Sequence, residues 1–281
     1  HDHKVNFIDT PGYNEFHGEV RAALRACDGM LMVLSATTGV ETDTVRAWDY
    51  AVELQMPRMA FINKMDVDGA DFFGTIERMR ELFGKGIMPL QIPIGEGVID
   101  VAKMTAFTYK DGQPTEIAVP AHLIEKAQEI REMTVEAAAE GSDELLEKYL
   151  EGEELSLEEI RQGLREGMIT GRVCPIMCGS ATSRIGLDQV LDRMIRYMPD
   201  AAKKVMTAES ADTGEPVVVH VDKPLTAFVF KTLLDPFAGK QSFVRIFLIV
   251  STKPKLTAGS VIRIFFFCRL RRALKFLYKG S

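Results

Sequence analysis

Short continuous apolar runs alternate along the chain with stretches whose apolar residues recur every three or four positions. Val5 to Ile8 is a short, mostly apolar run, and it stops at Asp9-Thr10-Pro11-Gly12, which predicts a buried strand ending in a sharp turn. Phe16, Val20, Leu24 and Cys27 then form one stripe of an amphipathic helix. Met30 to Leu34 predicts a second strand, Val45, Trp48 and Val52 a second helix, and Met59 to Ile62 a third strand ending at Asn63. Phe72, Ile76, Met79 and Phe83 mark a third helix before a strand near Leu90. Strands that are apolar throughout, separated by helices, predict an α/β fold on a parallel sheet covered on both faces. Ligands on such sheets bind at the carboxyl ends of the strands. Two polar clusters, Asp9 to Gly12 and Asn63 to Asp66, occupy those ends.

The pattern changes from Val98. Val98 to Tyr109 is strand-like, Asp111-Gly112 is a hairpin signal, and helical stretches follow at about 121–139, 143–150 and 156–168. This Glu-rich block looks inserted, because a strand at Val173 to Met177 and a helix carrying Leu187, Leu191, Met194 and Ile195 then resume the earlier alternation. Residues 199–224, with Pro199, Gly214, Pro216 and Pro224, read as a linker. Leu225 to Thr232 and Ser242 to Val250 are β-rich and predict the start of a second, all-β domain.

Composition narrows the class. The chain has 281 residues, 46% hydrophobic and 26% charged, which excludes collagen-like, disordered and disulfide-framework proteins. Its net charge of -6 hides an asymmetry: residues 1–249 carry 26 basic and 40 acidic side chains, while the last 32 residues carry eight basic and no acidic ones. The acidic body argues against a nucleic-acid-coating role but leaves room for a local basic patch. Cys27, Cys174, Cys178 and Cys268 form no CxxC pair, a usage typical of reducing, cytoplasmic proteins. No apolar run, Ile264 to Cys268 included, is longer than five residues, too short for a membrane span.

Asp9-Thr10-Pro11-Gly12 has the parts of a metal and phosphate sensor: a carboxylate that can hold Mg²⁺ directly or through water, and a glycine whose N–H can approach a terminal phosphate. In isolation it also describes a plain turn. Asn63-Lys64-Met65-Asp66 adds base chemistry, since the Asp66 carboxylate can accept from both the N1–H and the exocyclic amine of guanine, a donor pair that adenine lacks. Asn63 can bond the Hoogsteen edge, and the Lys64 stem can lie along the base plane. Cys178-Gly179-Ser180-Ala181, after the strand at Val173 to Met177, can present a backbone N–H to the guanine O6.

In this order, DTPG, NKMD and CGSA resemble the third, fourth and fifth nucleotide-binding motifs of translational GTPases. The wider text, including GVETDTVRAWDYA, ELLEKYLEGEELSLEEIRQGL and PLTAFVFKTLLDPFAGKQSFVRIF, is similar to elongation factor G over roughly residues 4–247. The resemblance implies a P-loop-GTPase-type sheet lacking its phosphate-loop part, with an α+β insert, followed by the start of a β-barrel. Its implied layout is a partial G domain over 1–199 with an insert at about 95–170, a linker at 200–224, the start of domain II at 225–250 and an atypical basic tail at 251–281. It further implies GTP/GDP and Mg²⁺ as ligands, with Asp9 in the Mg²⁺ shell through water. Thr10, Pro11 and Gly12 would lie at the nucleotide, Gly12 sensing the γ-phosphate. Asn63, Lys64, Met65 and Asp66 would hold guanine, supported by Ser180 and Ala181. The implied partners are the ribosome, through rRNA and the large-subunit stalk proteins, for a cytoplasmic monomer with no membrane role.

Three departures qualify the resemblance. No GxxxxGK[ST] loop occurs; Gly239-Lys240-Gln241-Ser242 lacks its spacing, so the chain is expected to be a fragment that is inactive alone. Tyr13 stands where these GTPases usually carry the histidine that positions the attacking water. A phenol can hydrogen-bond but stays neutral, so a slow or non-catalytic ribosome-binding paralogue is the alternative. The ending FFFCRLRRALKFLYKGS matches nothing in the barrel and is expected to be a tail without native function rather than a membrane or rRNA anchor.

Overall fold

Met30, Met32 and Leu34 of strand β2 (Gly29–Ser35) pack into one hydrophobic cluster, and Leu31 and Val33 into another. Successive side chains on a strand point to opposite faces, so an all-apolar strand requires cover on both sides. The structure, a computed structural model, describes residues 3–200, 206–219, 227–237, 239–246 and 261–268, and it provides that cover.

The main sheet also holds β1 (Lys4–Pro11), β3 (Arg58–Asn63), β4 (Ile87–Pro89), β9 (Cys174–Cys178) and β14 (Val261–Cys268), all parallel, in the order β1-β14-β2-β3-β9-β4. One face is covered by α1 (His17–Ala26), α2 (Thr42–Glu53) and α3 (Phe72–Phe83), through Leu24, Trp48 and Met79. The other is covered by α4 (Ile124–Ala139), α5 (Asp143–Leu150), α6 (Leu157–Ile169) and α7 (Leu187–Tyr197), through Ala138, Leu145, Leu164 and Met194. Ser156 and Glu159 cap α6 reciprocally, and Asp71 caps α3 by accepting from the Gly74 N–H, so these helices start where the sequence supplies an oxygen acceptor.

The insert has its own antiparallel sheet, β5 (Gln91–Ile94), β6 (Gly97–Asp100), β7 (Thr105–Lys110) and β8 (Gln113–Ile117), with Ile92, Ile99, Ala106 and Ile130 at its core. The single strand expected near Leu90 is therefore two, one in each sheet, and the stretch from Val98 to Tyr109 folds back at residues 101–104, where Met104 takes φ 54°. A buried ion pair joins the two bodies: Arg193 on α7 meets Asp100 on β6, whose other oxygen accepts from the Ala102 and Lys103 N–H groups at 3.1 and 3.2 Å.

Two segments differ from expectation. The stretch read as a linker contains a hairpin, β10 (Met206–Glu209) and β11 (Pro216–Val219), because Gly214 at φ 70° closes a turn onto a β-branched run. Residues 261–268, expected within a tail without native function, form β14 between β1 and β2, with Phe265 opposite both Ile8 and Met30. Apart from Arg263 the segment is apolar, a composition that suits a strand inside a parallel sheet.

The β-rich segment forms β12 (Ala227–Asp235) and β13 (Gly239–Ile246), an antiparallel pair docked on α1. Arg245 reaches the Ala26 carbonyl at 3.1 Å and pairs with buried Asp28, Lys231 meets Glu19 at 2.6 Å, and Arg25 lies over the Phe228 ring. Among the described residues, no helix is long and apolar enough to cross a membrane.

Candidate functional site

Parallel pairing puts the carboxyl ends of β1, β2, β3 and β9 at one edge of the sheet, so the three polar turns singled out in the sequence share that edge. The turns after β3 and β9 are bonded to each other. The Gly179 N–H donates to the Ile62 carbonyl at 3.1 Å, and the Met65 N–H donates to the Gly179 carbonyl at 3.0 Å. The Ala181 N–H donates to Asn63 Oδ1 at 2.9 Å, and the Ser183 hydroxyl donates to Asp66 Oδ2 at 2.6 Å.

Local backbone explains this placement. Asn63 is 3% exposed and Ser180 1%, whereas Asp66 is exposed, and the bend between inside and outside falls at Lys64, in the left-handed region at φ 66°. Gly179 is required by close approach: a Cβ there would meet the Ile185 carbonyl oxygen at 2.1 Å. Met65 packs its side chain against the core beneath the turn, so its contribution is packing. Partial burial raises the Asp66 carboxyl, but the Ser183 and Ser180 hydroxyls outweigh it and hold the group below the usual carboxylate range. Asp66 is thus an ionised acceptor at neutral pH, oriented by a serine that the sequence reading did not name. Its signal was slight, a third small residue after Ser180.

The turn after β1 is divided between two clefts. Gly12, which is buried, and Tyr13, 58% exposed, line a cleft of about 270 Å³ with Ser35, Thr38 and Lys64. Asp9, Thr10 and Pro11 line a separate cleft of about 530 Å³, whose far wall includes Phe230 and Lys231 of β12. The structure therefore brings Gly12 and Tyr13 to Lys64, brings Asn63 and Asp66 to Ser180 and Ala181, and leaves Asp9 in a different cleft from either group. Burial pushes the Asp9 carboxyl up to about 6, partly offset by the Thr10 N–H.

As a Mg²⁺ site this donor set is sparse. Among the described residues, no group of three or more His, Cys, Asp or Glu is placed to hold a metal. Mg²⁺ is commonly held by one or two carboxylates with the remaining positions filled by water and phosphate oxygens, and Asp9 fits that arrangement rather than a protein cage. Cys174 and Cys178 are buried free thiols, the former pushed up to about 12 by burial and the latter also raised, which suits packing and not ligation.

Residues 1–200 match the family model described as the Elongation factor Tu GTP binding domain. The chain belongs to that family. It is a translational GTPase-type GTP-binding domain, with guanine nucleotide as the implied ligand. A protein of known structure from Thermus thermophilus is 34% identical and superposes with a TM-score of 0.73. The match covers 85% of this chain and 34% of that protein, so the chain spans about a third of the length of this relative. Family membership accounts for the parallel sheet with polar turns at its carboxyl edge. The antiparallel insert sheet and the small later sheets are added to that frame.

Proposed function

We propose that this chain serves an elongation factor G-like translational GTPase, in which GTP binding and hydrolysis drive a ribosomal step of protein synthesis. The observation that carries the reading is the joined pair of turns, Asn63 to Ala181 and Asp66 to Ser183, which sets an ionised carboxylate beside small-residue backbone. Asp66 accepts from guanine N1–H and the exocyclic amine. The Asn63 side-chain NH₂, its oxygen already engaged by Ala181, donates to the Hoogsteen edge. The Lys64 stem lies against the base, and the Gly12 N–H meets the terminal phosphate. A Mg²⁺ ion would be held by Asp9 through water and would supply charge neutralisation at the phosphates, which requires the Asp9 cleft to open towards that of Gly12 and Lys64.

The 281 residues contain no GxxxxGK[ST] motif, and with it go a ring of N–H donors and a phosphate lysine. Charged hydrogen bonds contribute about 1.5–3 kcal/mol each, so this polypeptide alone binds nucleotide weakly, on the order of millimolar. Titration of ¹⁵N-labelled chain with GDP and with ADP tests the reading. Shifts at Asp66, Ala181 and Ser183 specific to GDP support it; equal responses to both contradict it.

Tyr13 favours a second reading, a slow or non-catalytic paralogue that uses guanine nucleotide as a conformational ligand. An exposed phenol faces the cleft shared by Gly12 and Lys64, where a histidine would add a ring nitrogen able to take a proton. The partners on either reading are rRNA and the large-subunit stalk, in the cytoplasm and as a monomer.

A further inference from the structure

Strand β9 runs two residues beyond its neighbour β4. The register pairs Ile87 to Pro89 with Cys174 to Ile176, and β9 continues to Cys178 with β3 on one side alone. The Cys178 N–H faces the side where β4 has ended, and a side chain takes the place of the missing strand: Gln91 Oε1 accepts from it at 3.1 Å. Gln91 Nε2 donates to Gln189 Oε1 at 2.7 Å, Gln189 Nε2 donates to the Tyr109 hydroxyl at 3.2 Å, and that hydroxyl donates to Asp188 Oδ1 at 2.7 Å. Gln91 is 0% and Tyr109 6% exposed.

The chain of bonds thus begins on the insert sheet, crosses α7 and ends on the residue before Gly179. From Gly179 the contacts pass to Met65, and from Ala181 to Asn63. A glutamine suits this position because one planar amide offers a donor and an acceptor, and a buried amide must satisfy both. Burial, and next the Asp188 carboxylate, raise the Tyr109 hydroxyl far above its ordinary range, so it stays a donor throughout the neutral region.

We infer that Gln91 and Tyr109 are positioning residues for base recognition: they fix the end of β9 so that the Ser180-Ala181 turn sits where Asn63 and Asp66 read the base, and they tie that reading to the seating of the insert. The inference rests on the guanine reading above. It makes the insert more than an appendage, because whatever displaces its sheet from α7 loosens the turn.

The test uses the 281-residue chain with Gln91→Leu, Gln91→Glu and Tyr109→Phe. Two readouts are taken: amide hydrogen exchange across 179–183, and the ratio of GDP to inosine diphosphate affinity from NMR titration. Inosine lacks the exocyclic amine, so the ratio reports the second Asp66 contact and not overall binding. Gln91→Leu is expected to speed exchange about tenfold, the equivalent of one lost hydrogen bond, and to bring the ratio towards one. Tyr109→Phe shifts both in the same direction by less. Gln91→Glu, a buried acid that stays protonated and keeps both a donor and an acceptor, restores them. If the parent prefers GDP and Gln91→Leu changes neither readout, or weakens both nucleotides equally, the positioning role is overturned alone. A parent without GDP preference overturns the guanine reading itself, whatever the exchange rates show.

Discussion

Asn63 and Ala181 are 118 positions apart and joined by one hydrogen bond, the Ala181 N–H donating to Asn63 Oδ1 at 2.9 Å. Both residues are buried, so this bond ties the turn after β3 to the turn after β9 in a place that water does not reach. Asn63 acts first as a strut between two loops, and in the proposed guanine reading its NH₂ is the group left for the base.

Removing that strut leaves a buried N–H without an acceptor. Asn63→Ala is expected to cost about 1–3 kcal/mol of stability and to weaken GDP binding further than that of any nucleotide held by phosphates alone. Chemical denaturation and the GDP titration check the two effects; a variant as stable as the parent would remove the strut role.

The Asp9 carboxyl supplies a pH signature. Its folded-state value of about 6 lies above the reference of 3.8, so between these values the folded chain holds a proton that the unfolded chain has released. Stability from this group therefore falls as pH rises from about 4 to 6 and is level above. Asp9→Asn is expected to raise the thermal midpoint at pH 7.5 relative to the parent and to narrow the difference between the two at pH 4. A parallel offset at both pH values would contradict a carboxylate whose burial outweighs its hydrogen bonding.

The Arg193 and Asp100 pair holds the insert sheet to α7, with side chains 4% and 2% exposed. Arg193→Met strands a buried carboxylate and is expected to cost about 3–5 kcal/mol in urea denaturation. Combining it with Asp100→Asn, which keeps the acceptor for the Ala102 and Lys103 N–H groups, recovers most of that loss. Equal stability of the single and double variants would show that the charge at Asp100 is not what matters.

The three turns were legible as strand ends because each follows an apolar or mostly apolar strand: Asp9 after Val5 to Ile8, where only Asn6 breaks the run, Asn63 after Met59 to Ile62, and Gly179 after Cys178. A one-dimensional pattern marks such strand ends well. It says nothing of which cleft an end faces, and Asp9 proved separate from Lys64 and Asp66 for that reason. Strand β5 was missed because Pro93 interrupts a four-residue run. The pairing of β14 joins residues over 230 positions apart, with no local signal beyond an apolar run. Gln91 is an ordinary polar residue in the sequence; only the shortness of β4 beside β9 gives it a partner.

Guanine recognition by Asp66 is tested by Asp66→Asn in this chain, titrated with GDP and with xanthosine diphosphate. An Asn amide supplies a donor for the xanthine 2-carbonyl where the carboxylate had accepted from the guanine amine. GDP affinity is expected to fall and xanthosine diphosphate to become the preferred ligand, an inversion of about tenfold or more in the ratio. An unchanged preference for GDP would contradict it.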